Sequence, residues 1–227
     1  MVTTPTNQST TLTIPPKTWR PATWELFVRY CEESTFDEVR AFYNAGLIWV
    51  DMGNEGINHS NFCQLISMIF LAWFAKQGQS EFSNLGGCVL EKPTQRGAAP
   101  DIVLYVGADF PQWQPGERRR INLDQWRVPN LVGEVADTTL PTDLDEKKHL
   151  YAALEIPEYW VIDVTGCRVF AFRLNEQGAY DICDLSEALK GLPIVLLNQT
   201  VARLKTESNG GAALWFGRQL EKSNDMV

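Results

Sequence analysis

Apolar residues recur at helical spacing in the first third of the chain and at strand-like spacing beyond it. The helical pattern predicts a first helix from about residue 22 and a longer amphipathic helix over residues 58–76, which Gly78 would end. Between these helices, short apolar runs flank Asn44-Ala45-Gly46 and predict a β-hairpin. Five further apolar runs predict strands, at residues 87–91, 102–106, 131–135, 159–164 and 168–173.

The remaining pattern predicts how these elements are organised. A helix is predicted over residues 143–154 and another over residues 210–220, whereas residues 107–130 show no periodicity. Residues 1–20 are rich in Thr and Pro and are expected to form a flexible tail, which leaves residues 21–227 for a single domain. The order of elements predicts an α/β (α+β) fold with a mixed central sheet and flanking helices.

Two acidic residues interrupt the apolar strand pattern. Asp101 opens the run over residues 102–106, and Glu134 lies inside the run over residues 131–135. A buried, ionised carboxylate is costly unless a cation compensates it. Two such residues on short, β-branched runs therefore indicate a metal site rather than an ordinary core.

The helix predicted from residue 143 carries a lysine on its apolar side. Leu144, Leu150 and Tyr151 fall on one arc of this helix, with Lys147 in the middle of the arc and Lys148 at its edge. A lysine at that position either extends to solvent or meets a buried carboxylate. Spacing alone leaves a second interpretation open, an ordinary surface ion pair between Lys147 and Asp143, four residues earlier.

Composition and charge limit the classes of partner. The chain has 227 residues and a net charge of −8, so any nucleic-acid-binding surface must be local. The best candidate is the run Arg118, Arg119 and Arg120, and the alternative is a solvated loop with surface arginines. The five cysteines are scattered, and no apolar run reaches the roughly 20 residues of a membrane span. These features predict a cytoplasmic protein with reduced thiols and no membrane partner.

Four motifs occur in order along the chain: Pro100-Asp101, Gly133-Glu134-Val135, Asp143-x-x-x-Lys147-x-x-x-Tyr151 and the run IPEYWVID over residues 156–163. Together they resemble a large family described as putative restriction endonucleases, which is expanded in cyanobacteria and belongs to the PD-(D/E)xK nuclease superfamily. The resemblance extends over roughly residues 22–200. It implies a restriction-endonuclease-like core, with an N-terminal helix and hairpin and with the acidic residues on adjacent central strands.

The resemblance also implies an activity and assigns roles to residues. Asp101 and Glu134 match the two acids that hold the metal, expected to be Mg²⁺ with Mn²⁺ as a substitute, because Mg²⁺ prefers oxygen ligands. The superfamily lysine two residues after the second acid is replaced by Ala136, and Lys147 matches the helix lysine that takes over in this family. The expected function is an endonuclease that hydrolyses phosphodiester bonds in DNA. The departure at Ala136 favours the alternative, a catalytically decayed nucleic-acid-binding or interaction protein with the same fold.

Three residues are possible accessories to this site. Asp137 could add a metal ligand or serve only the loop, and His59 could cap or pack its helix or reach the rim of the site. Lys148 is the alternative to Lys147. A homodimer is expected because both strands of a duplex must be cut, and the terminal aromatic residues Trp215 and Phe216 offer apolar surface for it.

Overall fold

The computed structural model describes residues 16–33, 39–52, 56–112, 115–116 and 118–222. Most of the expected N-terminal tail lies outside these residues. Within the described part of the chain, twelve strands form two six-stranded sheets and six α-helices pack against them. No helix in these ranges is both long and apolar enough to cross a bilayer.

The first sheet contains the predicted hairpin. Its strands are β1 (Arg20–Pro21), β2 (Val39–Asn44), β3 (Leu47–Met52), β5 (Val89–Lys92), β6 (Arg96–Ala98) and β8 (Arg120–Asn122), in the spatial order β1-β3-β2-β6-β5-β8. Ala45 and Gly46 connect β2 to β3 with φ angles of 45° and 91°, the left-handed conformation that two-residue hairpin turns require. The hairpin prediction is confirmed.

The second sheet carries the two acidic strands at its centre. Its strands are β4 (Phe82–Leu85), β7 (Ile102–Val106), β9 (Leu131–Ala136), β10 (Glu158–Asp163), β11 (Arg168–Leu174) and β12 (Tyr180–Ile182), in the order β12-β11-β10-β9-β7-β4. Strands β9 and β10 are parallel and every residue in them is buried, whereas the other pairs are antiparallel. The predicted mixed sheet is therefore present, together with a second sheet that the sequence pattern did not separate from it.

Helices cover both faces of the second sheet. The helices are α1 (Trp24–Glu33), α2 (Ile57–Lys76), α3 (Leu140–Leu144), α4 (Glu146–Ala153), α5 (Ile194–Ala202) and α6 (Asn209–Lys222). One apolar core joins α1, α4 and the hairpin to the face that carries Val103 and Val132, and a second core joins α2, α5 and α6 to the opposite face. The segment from β9 to β10 is a crossover, and it brings α4 to the first of these faces.

Three predictions about local structure were incomplete. The helix predicted over residues 143–154 starts earlier, at Leu140, and is divided into α3 and α4. Asp145 separates the two helices because its backbone is non-helical (φ −124°, ψ −87°). The aperiodic segment 107–130 contains β8, which pairs in parallel with β5. Strands β4, β6 and β12 have only three or four residues each, too few for a clear alternating pattern.

Candidate active site

Asp101 and Glu134 face each other across two antiparallel strands. Ile102 of β7 pairs with Gly133 of β9, so the next residues outward, Asp101 and Glu134, lie opposite one another on one face of the sheet. The backbone N–H of Val135 donates to Asp101 Oδ2 over 2.7 Å and holds that carboxylate against β9. Both acids are buried, with 9% of Asp101 and 1% of Glu134 exposed.

Glu134 is surrounded by titratable side chains of helix α4. Lys147 Nζ lies 3.2 Å from Glu134 Oε2, and the hydroxyl of Tyr151 donates to Glu134 Oε1. Burial raises the pKa of Glu134 above its ordinary value, and the nearby Asp101 carboxylate adds to this shift, whereas Lys147 opposes it. Glu134 therefore gains a proton more readily than an exposed glutamate does.

Lys147 points into the protein and joins two carboxylates. Its Nζ atom lies 2.8 Å from Asp143 Oδ1 as well as 3.2 Å from Glu134 Oε2. The same atom lies over the rings of Phe42 and Trp49, at 4.2 and 4.8 Å from their centroids. Burial alone would lower the pKa of Lys147, but the two carboxylates outweigh it and raise that pKa, so Lys147 is a buried cation.

This geometry decides between the two interpretations of the helix. The Asp143–Lys147 pair exists, but both side chains are buried, so it is not the ordinary surface pair that spacing allowed. Lys148 lies at the edge of the helix, with its Nζ 4.9 Å from the centroid of the Phe172 ring. Lys147, rather than Lys148, therefore contacts the two carboxylates in the structure.

Asp101 has a different set of neighbours. Its Oδ1 atom contacts Arg40 Nη1 of β2 and lies 3.0 Å from His59 Nε2 of α2. Burial opposes ionisation of Asp101, but Arg40 and His59 outweigh it and hold its pKa below the usual range. Asp101 is therefore ionised, and its negative charge is compensated from the hairpin and from the start of α2.

A cavity of about 370 Å³ opens beside Asp101. Arg40 and His59 line it together with Arg119, Cys63 and Gln64. An aqueous cavity with two arginines next to buried acids suits an anionic substrate. The access to the site is therefore on the Asp101 side, and Glu134 lies deeper.

The other candidate residues are distributed around this cavity. Of the basic run, Arg119 lines the cavity, whereas Arg118 Nη1 donates to the Glu32 carbonyl and Arg120 pairs with Glu91. Asp137 is exposed just beyond β9, outside the contacts described above. His59 is the third residue of α2 and is buried, and it reaches the site through Asp101.

Three residues of the site were missed by sequence reasoning. Arg40 belongs to a short strand of the hairpin, and Cys63 appeared only as a scattered cysteine. Tyr151 appeared in an apolar stripe and as the last residue of a motif, but no role was assigned to it. Tyr151 follows Lys147 by one helical turn, which was a usable signal. Nothing in the sequence indicated that β2 and α2 meet at Asp101.

The donor set fits a hard divalent cation. Asp101 and Glu134 offer carboxylate oxygens from adjacent strands, and each such oxygen has lone pairs beyond the hydrogen bonds described above. Oxygen ligands of this kind are those that Mg²⁺ and Mn²⁺ prefer. Arg40 contacts Asp101 Oδ1, so a metal ion on that atom would compete with its guanidinium.

Comparison with known proteins gives one family and one fold. The model of the Uma2 family, described as "Putative restriction endonuclease", matches residues 24–203. The crystal structure of a putative nuclease belonging to DUF820 from Anabaena variabilis is similar in fold, with a TM-score of 0.53 and 17% identity. The similarity covers 86% of this chain and 99% of that one. A search of curated proteins gives no match.

Proposed function

Because this chain belongs to the Uma2 family of putative restriction endonucleases, we propose that it is a Mg²⁺-dependent endonuclease that hydrolyses phosphodiester bonds in DNA. One observation carries the proposal: a buried lysine, Lys147, lies against Glu134 on the strand next to Asp101, beside a cavity lined by arginines. Burial of this combination of charges is costly in a purely structural core, whereas in the hydrolysis of an anionic ester such charges stabilise the transition state.

The metal would be held by Asp101 and Glu134. When bound, Mg²⁺ or Mn²⁺ would polarise the phosphate and lower the pKa of a coordinated water. The raised pKa of Glu134 and the crowding of Asp101, Glu134 and Asp143 support this assignment, because a cation would relieve the repulsion among these carboxylates.

The remaining residues act on orientation and charge. Lys147 Nζ keeps its proton and supplies a fixed positive charge beside Glu134, where it would offset charge on the reacting phosphate. Tyr151 donates to Glu134 Oε1 and fixes the direction of that carboxylate. Arg119 would contact the phosphate backbone from the cavity wall, while Asp137 and Lys148 lie outside the proposed set.

A catalytically decayed nucleic-acid-binding protein is the second candidate. Two observations favour it: Ala136 stands at the usual lysine position, and Arg40 together with His59 already compensates the charge of Asp101. Such a protein would bind DNA through the arginines of the cavity without cutting it.

Cleavage of supercoiled plasmid, titrated with Mg²⁺ and Mn²⁺, separates the two candidates. The nuclease should nick or linearise the plasmid only with metal, and Asp101→Asn should abolish this while Asp137→Asn retains it. Calorimetry on the wild type and on Glu134→Ala measures the Mg²⁺ affinity independently of cleavage. Plasmid that is bound but left intact at every metal concentration would support the decayed protein instead.

The proposal includes a homodimer, but its interface is not the surface around Trp215 and Phe216 that the sequence predicted. Phe216 is buried and Trp215 is half-buried under Arg203, so these aromatic residues do not form an exposed patch. Leu71 of α2 and Leu214 of α6 are instead 60% and 68% exposed on neighbouring helices. Light scattering should give a dimer mass for the wild type and a monomer mass for Leu214→Glu. A monomer mass for the wild type at roughly tens of micromolar protein would contradict the dimer.

A further inference from the structure

Helix α2 presents a second set of metal-binding donors beside Asp101. His59 and Cys63 are four residues apart, so both side chains lie on one face of the helix. Cys63 Sγ lies 3.7 Å from His59 Nδ1, and His59 Nε2 lies 3.0 Å from Asp101 Oδ1. One donor atom from each of the three side chains lies within 4.8 Å of the other two.

The contact between Cys63 Sγ and His59 Nδ1 suits two ligands of a single tetrahedral ion, while Asp101 Oδ1 now lies on the other ring nitrogen, Nε2. Zinc binds sulfur at about 2.3 Å and imidazole nitrogen at about 2.0–2.1 Å, which places two such ligands roughly 3.5 Å apart. The separation between Cys63 Sγ and His59 Nδ1 is close to this value. Helical pairs four residues apart are a common way to supply two zinc ligands.

The donor chemistry differs from that of the Asp101–Glu134 pair. A thiolate and an imidazole select zinc and similar metals, whereas Mg²⁺ takes oxygen ligands and does not use a cysteine. Both His59 and Cys63 line the cavity, so an ion bound there is reached from solvent. Three protein ligands leave a fourth position open toward the cavity.

We propose that His59, Cys63 and Asp101 form a Zn²⁺ site next to the nuclease centre. On binding, the Cys63 thiol loses its proton to solvent, and its thiolate and His59 Nδ1 ligate the ion. The Asp101 carboxylate turns from His59 Nε2 to supply one oxygen as the third ligand. The ion takes over from Arg40 as the cation that neutralises Asp101 Oδ1. The binding of zinc does not depend on the proposed nuclease activity.

A regulatory consequence rests on that activity. Because Asp101 belongs to both donor sets, Zn²⁺ at this site withdraws Asp101 from Mg²⁺ and inhibits cleavage. The site thus makes cleavage sensitive to thiophilic metals through Cys63, which is not one of the proposed Mg²⁺ ligands.

The test uses Co²⁺ as a spectroscopic substitute for Zn²⁺ on the full chain. The wild type should develop the near-ultraviolet thiolate-to-Co²⁺ absorption and lose it when Zn²⁺ is added. Cys63→Ser and Cys63→Ala should lack this absorption and bind Zn²⁺ at least about tenfold more weakly by calorimetry. The control is Cys167→Ser, since Cys167 is a half-buried cysteine that donates to the Val164 carbonyl, and it should behave as the wild type.

Two results would overturn the site. One is a Co²⁺ spectrum or a Zn²⁺ affinity that is unchanged in both folded Cys63 variants, with folding checked by circular dichroism. The other is loss of the absorption in Cys167→Ser. Cleavage assays form a separate arm: Zn²⁺ should inhibit Mg²⁺-dependent cleavage by the wild type and by Cys167→Ser, whereas the rate of Cys63→Ser, compared with its own rate without Zn²⁺, should not fall. A protein that binds Zn²⁺ through Cys63 but never cuts DNA would refute the nuclease and leave the metal site intact.

Discussion

Two buried glutamates on neighbouring parallel strands have opposite kinds of partner. Glu134 of β9 and Glu158 of β10 are each only 1% exposed. Glu158 accepts hydrogen bonds from the backbone N–H groups of Glu187 and Ala188, each over 2.8 Å, and from Trp160 Nε1 over 2.6 Å. Glu134 instead contacts the ionisable side chains of Lys147 and Tyr151.

The difference shows which buried carboxylate is structural. Glu158 ties β10 to the segment that precedes α5, and these donors are neutral groups with fixed positions. The contacts of Glu134 are to groups that carry or exchange protons, beside the further carboxylates Asp101 and Asp143. A carboxylate inside an apolar strand is therefore weak evidence of a site on its own, and the nature of its partners is stronger evidence.

The largest expected effect comes from removing the cation beside Glu134. Lys147→Met should lower metal-dependent plasmid cleavage by about 10²- to 10⁴-fold, the usual contribution of such a group, whereas Lys148→Met should retain most of it. We expect Lys147→Met to stay folded, because Glu134 has a raised pKa and takes up a proton when its cation is lost. Circular dichroism checks folding, and rates at matched metal concentration give the effect.

An inverted result would change the assignment of the helix. If Lys148→Met were the inactive variant, the contact of Lys147 with Glu134 would be structural, like those of Glu158. If both variants cut at the wild-type rate, helix α4 supplies no catalytic lysine and Ala136 would have no substitute.

The next effect concerns stability and separates the two glutamates directly. In Glu158→Gln, the new amide N–H₂ faces a donor, Trp160 Nε1–H, so a buried donor is left unsatisfied at a cost of about 1–3 kcal/mol. In Glu134→Gln, the amide can still accept from Lys147 and donate to the Tyr151 oxygen, so the loss should be smaller. Thermal unfolding without metal measures both changes.

Activity should follow the opposite order. Glu158→Gln should cut at nearly the wild-type rate below its unfolding temperature, and Glu134→Gln should be inactive. Equal loss of activity in the two variants would remove the distinction between a structural and a functional carboxylate.

The sequence predicted Glu134 on a buried strand, but the strand predicted over residues 159–164 began one residue after Glu158. It did not predict the partners that distinguish the two glutamates. Asp101, Glu134 and Lys147 were found because short apolar runs and a helical stripe are local patterns. Arg40 and His59 were not connected to Asp101, since spacing gives the face of an element but not the element that packs against it. Phe216 shows the same limit, because its burial depends on packing within the core shared by α2 and α6.

The smallest expected effect is the pH dependence of stability without metal. Burial raises the pKa of Glu134 in the fold from its ordinary value of 4.5 to about 8. Between these two pKa values the folded state holds a proton that the unfolded chain has released, so the free energy of unfolding falls as pH rises. One such group contributes a slope of at most about 1.4 kcal/mol per pH unit. Chemical denaturation across this range should show the decrease, and Glu134→Gln should remove part of it.

Glu158 provides the control for this measurement, because burial raises its pKa as well. In each glutamine variant, the free energy of unfolding should therefore fall less steeply with pH than in the wild type. Mg²⁺ should reduce only the contribution of Glu134 to this pH dependence, since the metal binds the ionised carboxylate and favours its deprotonation. We expect added Mg²⁺ to flatten the slope of the wild type and of Glu158→Gln, and to leave Glu134→Gln unchanged. A slope that responds to Mg²⁺ equally in all three proteins would mean that the metal binds away from Glu134, and the contrast between the two glutamates would then be one of packing alone.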